Sequence, residues 1–393
     1  MKEHRIQNTE DRTHNTLNWG CPRNPFFVID SVIASDRRER GNLFIYSAFL
    51  RLLRRFAPRN DRLFHAFLIY ISYPLIIFMF LLSISGISSA ETITYKDKLG
   101  RVINIPIPAK RAVLLITYEL IPALGIWDRV VGIGRWAYDN DLMKATRPDI
   151  ERSIPSAGTS SDVNIEAIIK LKPDVVLTWS YKPEVVRFME EKGLKVIAVQ
   201  PESLDELYDV MRLHGRLFGK EKQMEHFINQ MGKIFKLIKE RVSKIPDDKR
   251  QKVLWLLGKP TIVSCGISVT NDVFKLIRGI NPASFIPQNY ADISMEQIIA
   301  WNPDVIFIWG NAKYGAQDIL NNSQWRHIKA VREGRVYKSP DWSTWSPRLA
   351  PIALWMATKT YPEYFRDINL ERLTDDFYRK VFGIPYNKVK KIG

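Results

Sequence analysis

Apolar and polar positions fall into three regimes along the chain. Residues 1–62 show no sustained period of 2 or 3.6, so no packed element is predicted there. Residues 67–84, FLIYISYPLIIFMFLLSI, form an uncharged run of 18 residues broken only by two serines and two tyrosines. From Glu91 onward short apolar runs alternate with helical patterns. ITYKDK and RVINIPIP flank Gly100 and predict a hairpin. Ala112 to Ile116, Val130 to Ile133, Asp174 to Trp179 and Lys195 to Val199 read as strands, with helices at Ile165 to Leu171 and Pro183 to Lys192 between them. Strands alternating with helices of this length predict an α/β fold whose parallel sheets are covered on both faces.

The apolar run decides the compartment. Arg51, Arg54, Arg55, Arg59 and Arg62 precede it, and small residues ending Ser88-Ser89-Ala90 follow it. A basic flank, an apolar segment and small residues at −3 and −1 predict an export signal within 63–90, cleaved after Ala90. The same 18 residues are about the minimum to span a bilayer, so an uncleaved anchor through 67–84 stays open. Either way the remainder is expected outside the cytoplasm, in the periplasm, free or tethered to the inner membrane. No cysteine follows the run before Cys265, which argues against a lipid anchor. Residues 1–62 hold no Met after Met1, so a polar extension without structure and an incorrectly extended reading frame are both open.

An internal repeat organises the rest. DVNIEAIIKLKPDVVLTW at 162–179 and DISMEQIIAWNPDVIFIW at 292–309 share eight of 18 positions at an offset of 130. Each copy predicts a short helix, a Pro-Asp break and a strand ending in Trp. Between the copies, Met224, Phe227, Ile228, Met231, Ile234, Phe235, Ile238 and Val242 follow helical spacing, and one long helix over 220–243 is predicted. The expected organisation is a first α/β lobe at 91–217, a connecting helix at 218–245 and a second lobe at 246–393.

Composition adds limits. A chain of 393 residues with 46% hydrophobic and 25% charged residues is long enough for two or three domains. The formal charge is +16, but 12 basic and 7 acidic residues precede position 91, and the surplus beyond it is spread without a dense basic run. No nucleic-acid partner is expected. Two cysteines, Cys21 and Cys265, allow no disulfide framework and no cysteine-based zinc site.

Taken together, RAVLLITYELIPALG, NIEAIIKLKPDVVL, the long helix, ISMEQIIAWNPDVIFI and DWSTWSPRLAPIALWMA resemble the helix-linked (class III) substrate-binding proteins of ABC importers for Fe(III)-siderophores, haem and cobalamin. The resemblance covers essentially all of 91–393. It implies two Rossmann-like lobes with a ligand cleft between them, delivery to an ABC permease dimer, and no enzymatic turnover. It further implies that Glu166 and Glu296, at matching places in the repeat, dock permease arginines. The helix dipole would equally favour a carboxylate in those first turns.

In open parallel sheets, ligands settle beyond the carboxyl ends of the strands. Candidate cleft residues are therefore Thr117, Tyr118, Trp136, Tyr138, Trp179 and Tyr181 in the first lobe, and Cys265, Gly266, Tyr290, Trp309, Asn311, Trp342, Trp345 and Arg348 in the second. Aromatic walls suit a broad, partly apolar chelate, and Arg348 suits an anionic group on it. Against this, Trp127, Trp255 and Trp355 sit in apolar patterns and read as core. For Trp179 and Trp309 both readings stand, Cys265 reads as a core filler, and Arg348 also suits a structural brace. Trp342 and Trp345, in a polar run, are the stronger cleft candidates.

Bare-metal binding needs several converging His and carboxylate ligands, and beyond residue 90 only His214, His226 and His327 occur. A chelate that brings its own donors fits better, and no resident cofactor is expected. Gly132-Ile133-Gly134 lacks the third glycine of a dinucleotide loop, and no nucleophile elbow or His-Glu-x-x-His run appears. Two readings remain: a monomeric receptor for an iron(III)-siderophore or related haem or cobalamin chelate, and a membrane-tethered sensor or scaffold on the same bilobed fold.

Overall fold

The computed structural model describes residues 91–159 and 162–390. Residues 1–90, with the predicted export signal or anchor, lie outside the described residues. The chain opens with β1 (Glu91–Lys96) paired antiparallel to β2 (Val102–Ile107), and Gly100 takes the left-handed conformation that the turn requires. The buried Asp97 carboxylate in that turn accepts hydrogen bonds from the backbone of Leu99, Arg101 and Ala198 and pairs with the Arg101 guanidinium. The hairpin is thereby fastened to the first lobe.

That lobe holds β3 (Ala112–Leu114), β4 (Val130–Ile133), β5 (Val175–Trp179) and β6 (Val196–Val199) in the order β4-β3-β5-β6, all parallel. Its longer helices are α1 (Leu120–Leu124), α2 (Asp141–Thr146), α3 (Ile165–Leu171), α4 (Pro183–Glu191) and α5 (Leu204–Phe218). The long helix α6 (Glu221–Val242) follows, after Gly219 ends α5 in the left-handed conformation.

The second lobe contains β7 (Val253–Leu256), β8 (Ile262–Ser264), α7 (Val269–Leu276), β9 (Tyr290–Asp292), α8 (Met295–Trp301), β10 (Val305–Ile308) and β11 (Val336–Lys338), with strand order β11-β10-β7-β8-β9. Here the parallel expectation holds for β11, β10 and β7 only. β8 runs antiparallel to both β7 and β9; the short loop Leu257–Thr261 between β7 and β8 leaves room for a hairpin but not for a crossover helix. The last helices, α9 (Leu349–Thr360), α10 (Leu370–Phe382) and α11 (Tyr386–Lys390), do not all stay with this lobe: α10 packs on α1, and α11 on α2.

The repeat is structural. In α3 the Asn164 side chain caps the start and Lys172 ends the helix at φ 47°; in α8 Ser294 and Asn302, also at φ 47°, do the same. The shared aspartates then seal the neighbouring strand. Asp174 Oδ2 accepts from the Lys110 and Arg111 amides, and Arg111 donates to the Leu171 carbonyl. In the second lobe Asp304 Oδ2 accepts from the Lys252 amide, while the Lys252 ammonium reaches the Trp301 carbonyl.

One apolar core joins the lobes. Leu114, Val175, Leu177 and Val199 line one face of the first sheet, and Val253, Trp255, Val305 and Phe307 one face of the second. Between them lie α5, α6, α7, α9 and α10, and all eight stripe residues predicted for the long helix are buried in this layer. At 1.5 Å per residue α6 is about 33 Å long, enough to run the width of the body. The opposite sheet faces carry separate cores, Val113, Leu115, Val176 and Ala198 in one and Leu254, Leu256, Ile306 and Ile308 in the other.

Asp174→Ala and Asp304→Ala each leave strand-start amides without their acceptor. Urea unfolding is expected to show a loss of about 1–2 kcal/mol for each, adding in the double variant because the sites share no partner.

Candidate functional site

Most of the candidate residues lie in the segments that follow the strands, whereas Trp179 ends β5 and Tyr290 opens β9. Thr117, directly after the β3 region, sits at φ 55°, which is costly for a β-branched residue. Its hydroxyl lies 2.9 Å from Nε2 of His214 on α5, whose Nδ1 lies 2.7 Å from the Val210 carbonyl. That carbonyl can only accept, so Nδ1 carries the proton, and the single Thr117 hydroxyl proton is shared between Nε2 and the Ile116 carbonyl 2.7 Å away. Both residues are buried, and burial pushes the imidazole pKa down to about 4. A neutral histidine thus pins the turn that presents Tyr118.

Across the lobes the structure brings three predicted aromatics together. Trp179, the last residue of β5, lies with its ring centroid 4.2 Å from that of Trp345 in the loop after β11, and 5.6 Å from that of Tyr181. Tyr181 is exposed, while Trp179 and Trp345 are half-buried. Tyr118 is also half-buried and close enough to Asp341 and Arg348 to feel their charges; burial raises its hydroxyl pKa. The result is an apolar, aromatic seam where the two lobes meet.

Beneath the seam lies a buried ionic network. Arg348 Nη1 donates to Glu119 Oε1 at 2.9 Å, and Nη2 donates to both oxygens of Asp141 at 2.7 and 2.8 Å. Glu119 also accepts from the Asn140 side chain, the Ser346 hydroxyl and the Ser343 amide. The rings of Trp342 and Tyr378 stand 5.2 and 5.8 Å from the guanidinium carbon. Burial pushes the Glu119 carboxyl pKa up, against the opposing pull of Arg348. One cation among two carboxylates explains why the guanidinium stays charged with no exposure to water.

This corrects two expectations. Arg348 is fully buried and committed to Glu119 and Asp141, so it is not free to pair with a ligand anion. Trp342, 6% exposed, packs against Tyr378 and Tyr386 rather than lining a cleft. The polar run around it suggested a solvated loop, but the Ser346 hydroxyl and the Ser343 amide bond Glu119. Cys265 is buried, and burial raises its thiol pKa to about 11; Gly266 packs tightly on the Ser284 carbonyl. Tyr138 donates to the Ile154 carbonyl, and Trp309 is half-buried against the shared core. Trp136, Tyr290 and Asn311 are exposed, and among the described residues no ring contact joins Trp136 or Tyr290 to the seam. Trp255 is core, whereas Trp127 and Trp355 are only partly buried.

Glu119, Asp141 and His214 were not singled out for the site from the sequence. A Glu directly after Thr117-Tyr118, between two apolar runs, was the available signal. Among the described residues no group of three or more His, Cys, Asp or Glu side chains is placed to hold a metal ion. A groove of about 590 Å³ lies not at the seam but beside α3, lined by Arg135, Asp162, Ile165, Glu166 and Phe188 among others.

The His214 imidazole carries a pH signature. Its folded pKa of about 4 lies below the unfolded value of about 6.5, so the unfolded chain binds the extra proton and stability falls as pH drops through that window. About 3 kcal/mol is expected to be lost between pH 7 and pH 4 from this group. Urea unfolding at several pH values is expected to show a shallower decline for His214→Gln than for the wild type.

Comparison with known proteins agrees with this architecture. A family model described as periplasmic binding protein matches residues 116–341. The molybdate-binding protein MolA of Haemophilus influenzae is 26% identical over 339 residues, 78% of this chain and 95% of that protein. The iron(3+)-hydroxamate-binding protein FhuD of Bacillus subtilis is 27% identical over 65% of this chain and 81% of that protein. A crystal structure of Helicobacter pylori CeuE in a nickel–histidine complex superposes with a TM-score of 0.70 at 27% identity, covering 77% of this chain and 99% of that one. The paired α/β lobes, the long buried helix and the seam between them are thus those of a substrate-binding protein of an ABC importer, and the chain belongs to the periplasmic binding protein family.

Proposed function

We propose that this receptor captures an organic metal chelate, an iron(III)-siderophore or a related haem or corrinoid, at the aromatic seam and delivers it to the permease unchanged. The observation that carries this reading is the meeting of Trp179, Tyr181 and Trp345 from two lobes. Aromatic rings give a large ligand wide contact area at little cost in conformational entropy. Such a ligand brings its own metal donors, which suits a described surface without a cluster of metal-ligating side chains. The hydroxamate relative, and a haem-uptake relative from Staphylococcus aureus at 26% identity, support the class.

A second reading is a small oxyanion, favoured by the similarity to the molybdate-binding relative along 95% of its length. It needs compact polar donors, and the seam's one buried cation, Arg348, is already committed. Titration of the 91–393 protein with a ferric hydroxamate, haemin, cyanocobalamin and molybdate, followed by Trp fluorescence, separates the two. Quenching at micromolar concentration is expected with at least one chelate; a response to molybdate alone would overturn the chelate reading.

Glu166 and Glu296 are the proposed permease contacts. Both are exposed at equivalent positions on α3 and α8, and neither carboxylate has an ion-pair partner among the described residues. A repeated acidic knob suits a two-fold permease with a basic residue on each subunit. No helix among the described residues is long and apolar enough to cross a membrane, so tethering rests on residues 67–84. The double variant Glu166→Ala with Glu296→Ala is expected to keep ligand affinity within about twofold, since neither residue is at the seam. Uptake by cells carrying it is expected to stop. Uptake at the wild-type rate would remove the docking role.

A further inference from the structure

We infer that Arg348, Glu119 and Asp141 act together as a positioning device, setting the ligand wall of the seam without touching the ligand. Glu119 directly follows Tyr118 and holds the 343–348 loop at three points: the Ser343 amide, the Ser346 hydroxyl and the Arg348 guanidinium. Trp345 lies between those points, its amide bonded to the Ser343 hydroxyl. Asp141, both of whose oxygens accept from Nη2 of the same guanidinium, opens α2 only three residues after Tyr138. One planar cation therefore ties the first lobe's loops after β3 and β4 to the second lobe's loop after β11, and so fixes where Trp345 meets Trp179. The planar fork of a guanidinium, its two terminal nitrogens held by different carboxylates, specifies distance and angle together, which a point charge does not. The three participants, with Asn140 and Ser346, are buried, so the arrangement is not competed by water.

Arg348→Lys keeps the charge and loses the fork. The neutral triple variant Glu119→Gln, Asp141→Asn, Arg348→Met leaves no buried charge stranded, so it guards against simple failure to fold. The readout independent of any ligand is the split far-ultraviolet circular dichroism band of two coupled indoles. Trp179–Trp345 is the one Trp–Trp ring pair among the described residues, and Trp345→Phe identifies its band. Both network variants, measured well below their unfolding temperatures, are expected to lose most of this band. Only the affinity arm rests on the chelate reading: for whichever of ferric hydroxamate, haemin or cyanocobalamin the wild type binds, Kd is expected to weaken about tenfold or more. A wild type that binds none of the three removes the chelate reading but leaves the dichroism result standing. A folded variant that keeps the band at full strength, or in which Kd moves less than twofold, overturns the positioning role. If Arg348→Lys unfolds, the triple variant alone decides.

Discussion

The structure depends on burial of a single helical layer between two sheets. Each sheet presents one apolar face to α6 and its neighbours, and neither face can be exposed without losing core shared with the other lobe. The hydrophobic contribution scales with the area removed from water, and this layer draws on both lobes at once. The α10 and α11 helices reinforce it by returning from the second lobe to pack on α1 and α2. A body joined in this way resists the wide hinge opening available to lobes joined by extended strands, and ligand capture must be accommodated by loops at the seam.

The ionic network beneath the seam adds direction to that adhesion. Apolar packing is tolerant of small slides, whereas a guanidinium held between two carboxylates is not. Burying three charges carries a desolvation cost of several kcal/mol per ion, which pairing roughly offsets, so its contribution is better sought in geometry than in net stability. The neutral His214 serves a related end by holding Thr117 in an unfavourable backbone conformation next to Tyr118.

Local patterns were legible in the sequence, and long-range partners were not. The eight-residue stripe predicted α6 within a residue at each end, because a helix face buried along its length leaves a periodic trace. The 162–179 and 292–309 repeat predicted two equivalent helix-strand units, and Asp174 with Asp304 supplies the chemical reason both copies kept the residue. The direction of β8 was missed because a short apolar run looks the same whichever neighbour it pairs with. Arg348 lies more than 200 positions from both of its carboxylates, a pairing that no local spacing encodes. Trp342 was placed in the cleft because its polar neighbours suggested water, when those neighbours serve a buried Glu119.

Spin labels on Lys170 and Ala300, exposed residues of the equivalent helices α3 and α8, report the distance between the lobes by pulsed electron paramagnetic resonance. With a ferric chelate bound, the distance distribution is expected to stay where it was in the free protein, within about 3 Å, as for a body that adjusts by loops and small shear. A displacement on the order of 10 Å, the signature of hinge closure, would contradict it.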